Sequence, residues 1–131
     1  LACSSGSTAH FVRGSWGADF HPDLQPRPAE AVVHEHWLHN GFAGTDLDYR
    51  LRNYGIDRLI LAGLRGNTCV EGTARYAVEL GYQVTLVKDA TATFEHREWV
   101  ATMEANAPTF AHALVTTAEL IAGTPSVASA S

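Results

Sequence analysis

The sequence predicts an α/β fold with a mostly parallel sheet. Three observations carry this. An unbroken apolar run at 58–63 leads through a glycine-bearing turn into a helix-periodic segment. A second apolar run, Gln83–Val87, follows the glycine that closes that helix. A third, Ala113–Val115, comes after another helical stretch. Strands that alternate with helices are joined by crossovers, and crossovers make neighbouring strands parallel.

Residues 1–30 are rich in Gly, Ser, Pro and Asp without periodicity and read as a long loop, with 21–28 as a proline-rich extended turn. Ala31–His34 reads as a short strand. Thr45 is a good N-cap for a helix over Asp46–Tyr54, whose Asp46 and Asp48 suit its positive end. Gly55 then supplies the residue that follows a helix C-terminus. Leu59-Ile60-Leu61-Ala62 does not alternate, so Arg58–Gly63 is expected to be a strand buried on both faces. A helix is expected from Cys69 to Leu80, closed by Gly81, with Val70, Ala74, Ala77, Val78 and Gly81 on its packing side. Thr93 or Glu95 opens the next helix, which runs to Asn106. Pro108 starts a new segment, and Thr117 caps a last helix over Ala118–Ala122.

A chain of 131 residues fits one domain with one core, with 1–12 and 123–131 as mobile ends. Hydrophobic residues at 46% against 18% charged exclude a disordered chain. The net charge of −5 and the lack of a long basic run argue against nucleic acid or an anionic membrane surface as a partner. No apolar stretch is long enough to span a bilayer. The two cysteines, Cys3 and Cys69, do not make a disulfide framework and read as free thiols in a reducing, cytoplasmic setting. Leu1-Ala2-Cys3 resembles a lipoprotein junction, but no apolar segment precedes it, so that reading is set aside.

Cys69 is the leading candidate for chemistry. It lies where a turn meets a helix, beyond the carboxyl end of a strand, which is where ligands sit in open parallel sheets. Unpaired N–H groups and the positive dipole end of a helix favour a thiolate. The same turn, Gly66, Asn67 and Thr68, offers backbone N–H groups for an oxyanion. The competing reading is a buried structural cysteine. His34, His36 and His39 form H-x-H-x-x-H, but separate packing, catalytic or surface roles are preferred to a metal site. Glu35 is either a solvated residue or a substitute acid. Trp37 and Phe42 either line the mouth of a substrate pocket or pack in the core. Asp89 is read as a cap for the turn that follows it, and Arg75 as structural.

Residues Gly66 to Arg75 (GNTCVEGTAR), Asp89-Ala90-Thr91-Ala92 and Gly44-Thr45-Asp46-Leu47-Asp48, together with 21–26 and 108–120, resemble the isochorismatase-like cysteine hydrolase superfamily. The resemblance covers about residues 13–122. It implies a doubly wound three-layer fold and a Cys–Lys–Asp triad that hydrolyses C–N bonds of small amide, carbamoyl or ureido substrates, with no organic cofactor. It gives Cys69 as nucleophile and the N–H groups of Cys69 and Gly66 as the oxyanion hole. It also implies a non-proline cis peptide at Arg65–Gly66. Homo-oligomers are usual in the family, with 14–42 as a contact region, and relatives fold the loop bearing Trp16 and Phe20 over the site or a neighbouring subunit. Isochorismate cleavage itself is not expected, because true isochorismatases do not depend on this cysteine.

Two departures stand out. The lysine position, six residues before Phe42, holds His36. The family's general-base aspartate lies in an opening strand–helix–strand unit that nothing in residues 1–30 resembles; Asp19 and Asp23 belong to the loop after it. That unit is expected to precede Leu1, in preference to a second chain filling the gap or a non-functional fragment. The expected function is hydrolysis through a Cys69 acyl-enzyme, with His36 as acid–base partner. The alternatives are a catalytically silent binding or assembly module and a metal-dependent amidase.

Overall fold

The computed structural model describes residues 12, 14–34 and 38–123. Cys3, Glu35, His36 and Trp37 lie outside them, as do the expected mobile ends 1–12 and 123–131 except for residues 12 and 123. The residues up to Val33 form one unit and those from His34 another. The described part of the first is irregular, as its composition predicts, with two short 3-10 turns at Trp16–Ala18 and Pro22–Leu24.

The second unit contains helix α1 (Leu47–Asn53), strand β1 (Arg58–Gly63), helix α2 (Glu71–Glu79), strand β2 (Gln83–Thr91), helix α3 (His96–Val100), strand β3 (Ala113–Val115) and helix α4 (Thr117–Gly123). The sheet has the order β1-β2-β3 and both pairings are parallel. Leu61 lies opposite Leu86, and Leu86 opposite Leu114. The core gathers where α2 meets β2. Val84 and Leu86 of β2 and Ala74 and Ala77 of α2 are fully buried. Two alanines three residues apart share a helix face and let the helix lie close to the strand. Phe42, Val70, Tyr82 and Ala107 complete the cluster.

Several local expectations hold. The Thr45 hydroxyl accepts from Leu47 N–H (3.2 Å) at the start of α1. Gly55 and Gly81 follow α1 and α2 with φ +64° and +91°. The helix after Glu95 runs to Asn106, its second half wound as a wider π turn over Ala101–Asn106.

Others are corrected. Residues 31–34 form no strand: the His34 N–H donates to the Asp46 carboxylate (3.0 Å) and no strand among the described residues pairs with this segment. β1 is not buried on both faces; its residues alternate between exposed and half-buried, and Ile60 is 58% exposed. It pairs only with β2 among the described residues. β2 extends four residues beyond Val87, because after a shift of register Gly63 pairs with Thr91. The last helix is capped by Thr116 instead of Thr117, in a reciprocal pair: Glu119 N–H donates to the Thr116 hydroxyl (3.2 Å) and Thr116 N–H to the Glu119 carboxylate (2.7 Å). Among the described residues no helix is long and apolar enough to cross a membrane.

Candidate functional site around Cys69

The site is built on the turn that follows β1. Gly63 ends the strand at φ +108°, in the region that favours glycine. The Leu64–Arg65 peptide is cis, one residue earlier than expected. Gly66–Val70 then winds as a single π-helical turn that runs straight into α2. Helical structure therefore begins three residues before Cys69. The Arg65 carbonyl nucleates it, accepting from Thr68 N–H (3.2 Å) and Val70 N–H (3.0 Å). Two further bonds fix the turn to the strand beside it. Ala92 N–H donates to Gly63 O (3.1 Å) and Gly66 N–H to Ala92 O (2.8 Å). A Cβ on Gly66 would lie 3.0 Å from the Thr93 methyl and 3.2 Å from that of Thr91. Only glycine lets the backbone approach so closely.

Cys69 is a free, half-buried thiol. It borders a cleft of about 160 Å³ lined also by Leu61, Ala62, Leu64, Val70 and Thr73. The Thr68 hydroxyl lies 3.7 Å from Sγ as a donor, and Sγ lies 3.8 Å from the Leu38 carbonyl, to which a thiol donates. Among the described residues, no carboxylate, imidazole or ammonium group hydrogen-bonds to the sulfur.

Segment 38–42 is clamped against α2. Gly41 N–H donates to the Thr73 hydroxyl (2.9 Å), and a Cβ on Gly72 would come within 2.8 Å of the His39 carbonyl. Beside this segment is an open hollow of about 510 Å³ lined by Leu38, His39, Asn40, Ala43 and Gly44. The Leu38 carbonyl is the link between the hollow and the cysteine. Further along, Asp46 receives the His34 N–H and pairs with Arg50 and, at 3.2 Å, with the His34 ring. The His34 N–H first, and Arg50 second, lower the Asp46 pKa to about 2.

The remaining candidates resolve as follows. Phe42 does not line the cleft: it is 6% exposed and packs its ring against Tyr76 and Tyr82, with centroids 5.9 and 5.7 Å away. Hydrophobic burial wins over any role at a pocket mouth. The Gly66 N–H cannot serve an oxyanion in this arrangement, because Ala92 O already accepts it. The Thr68 N–H is likewise used by Arg65 O, while the Asn67 side chain accepts from Arg65 Nε (3.0 Å). Arg75 is structural, pairing with Glu71 (2.8 Å) and lying over the Phe110 ring. Asp89 is a cap, but for α4: it accepts from Thr117 N–H (2.7 Å), which lowers its pKa. His34 is engaged by Asp46, and the described residues contain no group of three His, Cys, Asp or Glu able to hold a metal.

Two residues of the site were not singled out from sequence. Thr73 was legible, since it lies four positions after Cys69 and so shares its helix face. Arg65 gave less signal. Its N–H has no acceptor among the described residues, and its side chain reaches Glu98, 33 positions away.

A parallel sheet with a cysteine on the helical turn after one of its strands defines a class of α/β proteins. The Isochorismatase domain family matches residues 4–119, and the chain belongs to that family. It is 35% identical over 91 residues to the uncharacterized isochorismatase family protein YddQ of Bacillus subtilis, covering 69% of this chain and 50% of that one. It is 39% identical over 81 residues to the ureidoacrylate amidohydrolase RutB of Pantoea ananatis, covering 62% of this chain and 32% of that one. The crystal structure of an isochorismatase-like hydrolase from Alkaliphilus metalliredigens superposes with a TM-score of 0.80 at 33% identity, covering 90% of this chain and 65% of that one. The chain spans about half the length of the curated relatives it matches.

Proposed function

We propose that the protein is a cysteine hydrolase of small amide, carbamoyl or ureido compounds, acting through a Cys69 acyl-enzyme. The observation that carries this is the position of Cys69: half-buried on a helical turn beyond β1, facing a cleft, with the Thr68 hydroxyl as donor. The thiolate adds to the substrate carbonyl and forms a C–S bond. The carbonyl oxygen becomes an oxyanion, the C–N bond breaks, and the departing amine takes a proton. Water then cleaves the thioester, releasing the acid and restoring the thiol. The N–H groups of Cys69 and Arg65 are our candidates for the oxyanion donors; the Arg65 N–H, which has no acceptor among the described residues, replaces that of Gly66. His36 is proposed as the proton donor to the amine. The similarity to a ureidoacrylate amidohydrolase supports the choice of substrate class.

The test is ammonia release from ureidoacrylate, an N-carbamoyl amino acid and a primary carboxamide by the parent and by Cys69→Ser. Loss of a nucleophile lowers kcat by at least about 10³-fold. Equal rates for the two proteins would end the proposal.

A second reading is a silent binding module. Its support is the pair of contacts at Sγ, neither of which comes from a group able to act as a base. It predicts no turnover on any of the three substrates and no faster alkylation of Cys69 than of free cysteine.

A further inference from the structure

The Arg65 side chain forms a clamp that neither the sequence motif nor the proposed chemistry uses. Nε donates to Asn67 Oδ1 (3.0 Å) within the turn, and an Nη donates to Glu98 Oε1 (3.1 Å) on α3. The guanidinium lies 4.5 Å from the centre of the Phe94 ring. Glu98 is itself fixed, since its other oxygen accepts the Glu95 N–H (3.3 Å) at the start of α3. Arg65 and Glu98 are both largely shielded, at 32% and 22% side-chain exposure. A planar guanidinium can hold Asn67, Glu98 and an aromatic face together, as an ammonium cannot. The backbone of the same residue starts the Cys69 turn through its carbonyl and offers an N–H that has no acceptor among the described residues.

We infer that the Arg65–Glu98 pair is a positioning device: it holds the Arg65 N–H, and the turn behind it, in place for the oxyanion formed at Cys69. This rests on the hydrolase reading. It makes Arg65 and Glu98 positioning residues acting through the turn, with no contact to substrate required. A misplacement of about 1 Å at such a site costs on the order of 10²-fold in rate.

Two probes separate this role from simple support of the fold. With p-nitrophenyl acetate, Sγ adds to the carbonyl, an oxyanion forms, and p-nitrophenolate leaves as Cys69 is acetylated. With iodoacetamide, Sγ displaces iodide from a methylene carbon and no oxyanion forms. Both rates are read at Cys69 by peptide mass spectrometry on the full chain, in Arg65→Met, Arg65→Lys and Glu98→Gln. Gln at 98 keeps an acceptor for the Glu95 N–H, so it serves even where Arg65→Met fails to fold. The expected result is acetylation slowed on the order of 10²-fold in Arg65→Met, less in Arg65→Lys and Glu98→Gln, with alkylation within about twofold of the parent. Acetylation unchanged, or both rates falling together, would overturn the clamp while leaving the hydrolase reading in place. A parent Cys69 acetylated no faster than free cysteine would remove the hydrolase reading, and the clamp's role with it.

Discussion

β1 and β2 are written in similar residues but sit in different surroundings. Leu59-Ile60-Leu61-Ala62 is as apolar as Val84-Thr85-Leu86-Val87. In β2, Val84, Leu86 and Val87 are buried, and strands pair on both sides. In β1 the same kind of sequence has one neighbour among the described residues; Ile60 is 58% exposed, and Leu64, just past the strand, is 71% exposed. The cleft beside Cys69 opens along this half-covered strand, lined by Leu61, Ala62 and Leu64. The opposite flank of the turn is closed by Ala92, Thr91 and Thr93. The difference teaches that one wall of the site is complete within the described residues, whereas β1 has a face that they leave to solvent.

Stability measurements can break that contrast. Leu86→Ala removes a fully buried side chain and should cost about 2–5 kcal/mol in denaturant unfolding. Ile60→Ala should cost no more than about 0.5–1 kcal/mol if solvent covers its side chain. Equal losses at the two positions would mean that β1 is covered in solution as fully as β2.

The next effect sharpens the comparison at the closed side of α2. Gly72→Ala places a methyl 2.8 Å from the His39 carbonyl, so segment 38–40 must shift. The expected cost is about 1–3 kcal/mol, with altered Cys69 alkylation because the Leu38 carbonyl moves with it. A variant as stable and as reactive as the parent would show that segment 38–42 is not held there. Thr73→Val keeps the shape but removes the acceptor of the Gly41 N–H. Unfolding should then be easier by about 1–2 kcal/mol.

How much of this was readable follows from where the determinants lie. The three strands, the helix after Cys69 and the caps at Thr45 and Glu95 depend on residues within one or two turns of each other, and periodicity and capping chemistry report such contacts. The exposure of β1 does not follow from its own residues, since burial is decided by what pairs with the strand. Residues 31–34 looked extended, but the Asp46 carboxylate took the His34 N–H that a strand would have paired. In the site, Cys69 was identifiable from its turn. Phe42 was ambiguous between pocket and core until the rings of Tyr76 and Tyr82 were placed against it. The Gly66 N–H was offered to an oxyanion because nothing local reveals that Ala92, 26 positions on, accepts it. The link from Arg65 to Glu98 is invisible for the same reason.

The smallest effect concerns Asp46, which holds the His34 N–H and pairs with Arg50. Its pKa of about 2 in the folded protein lies below the ordinary 3.8. Stability from the ionised group is therefore present above about pH 4 and is lost as the pH falls toward 2. Asp46→Asn should unfold more easily than the parent at about pH 6, and the gap should close near pH 2. A gap that persists unchanged across that range would mean the charge of Asp46 contributes nothing to the fold.

The most direct measurement of the central claim is the intact mass of the protein quenched in acid during exposure to ureidoacrylate, followed by peptide mapping. Our account predicts an acyl adduct on the peptide containing Cys69, absent from Cys69→Ser and decaying as acid and ammonia accumulate. Ammonia release with no adduct at Cys69, undiminished in Cys69→Ser, would contradict it.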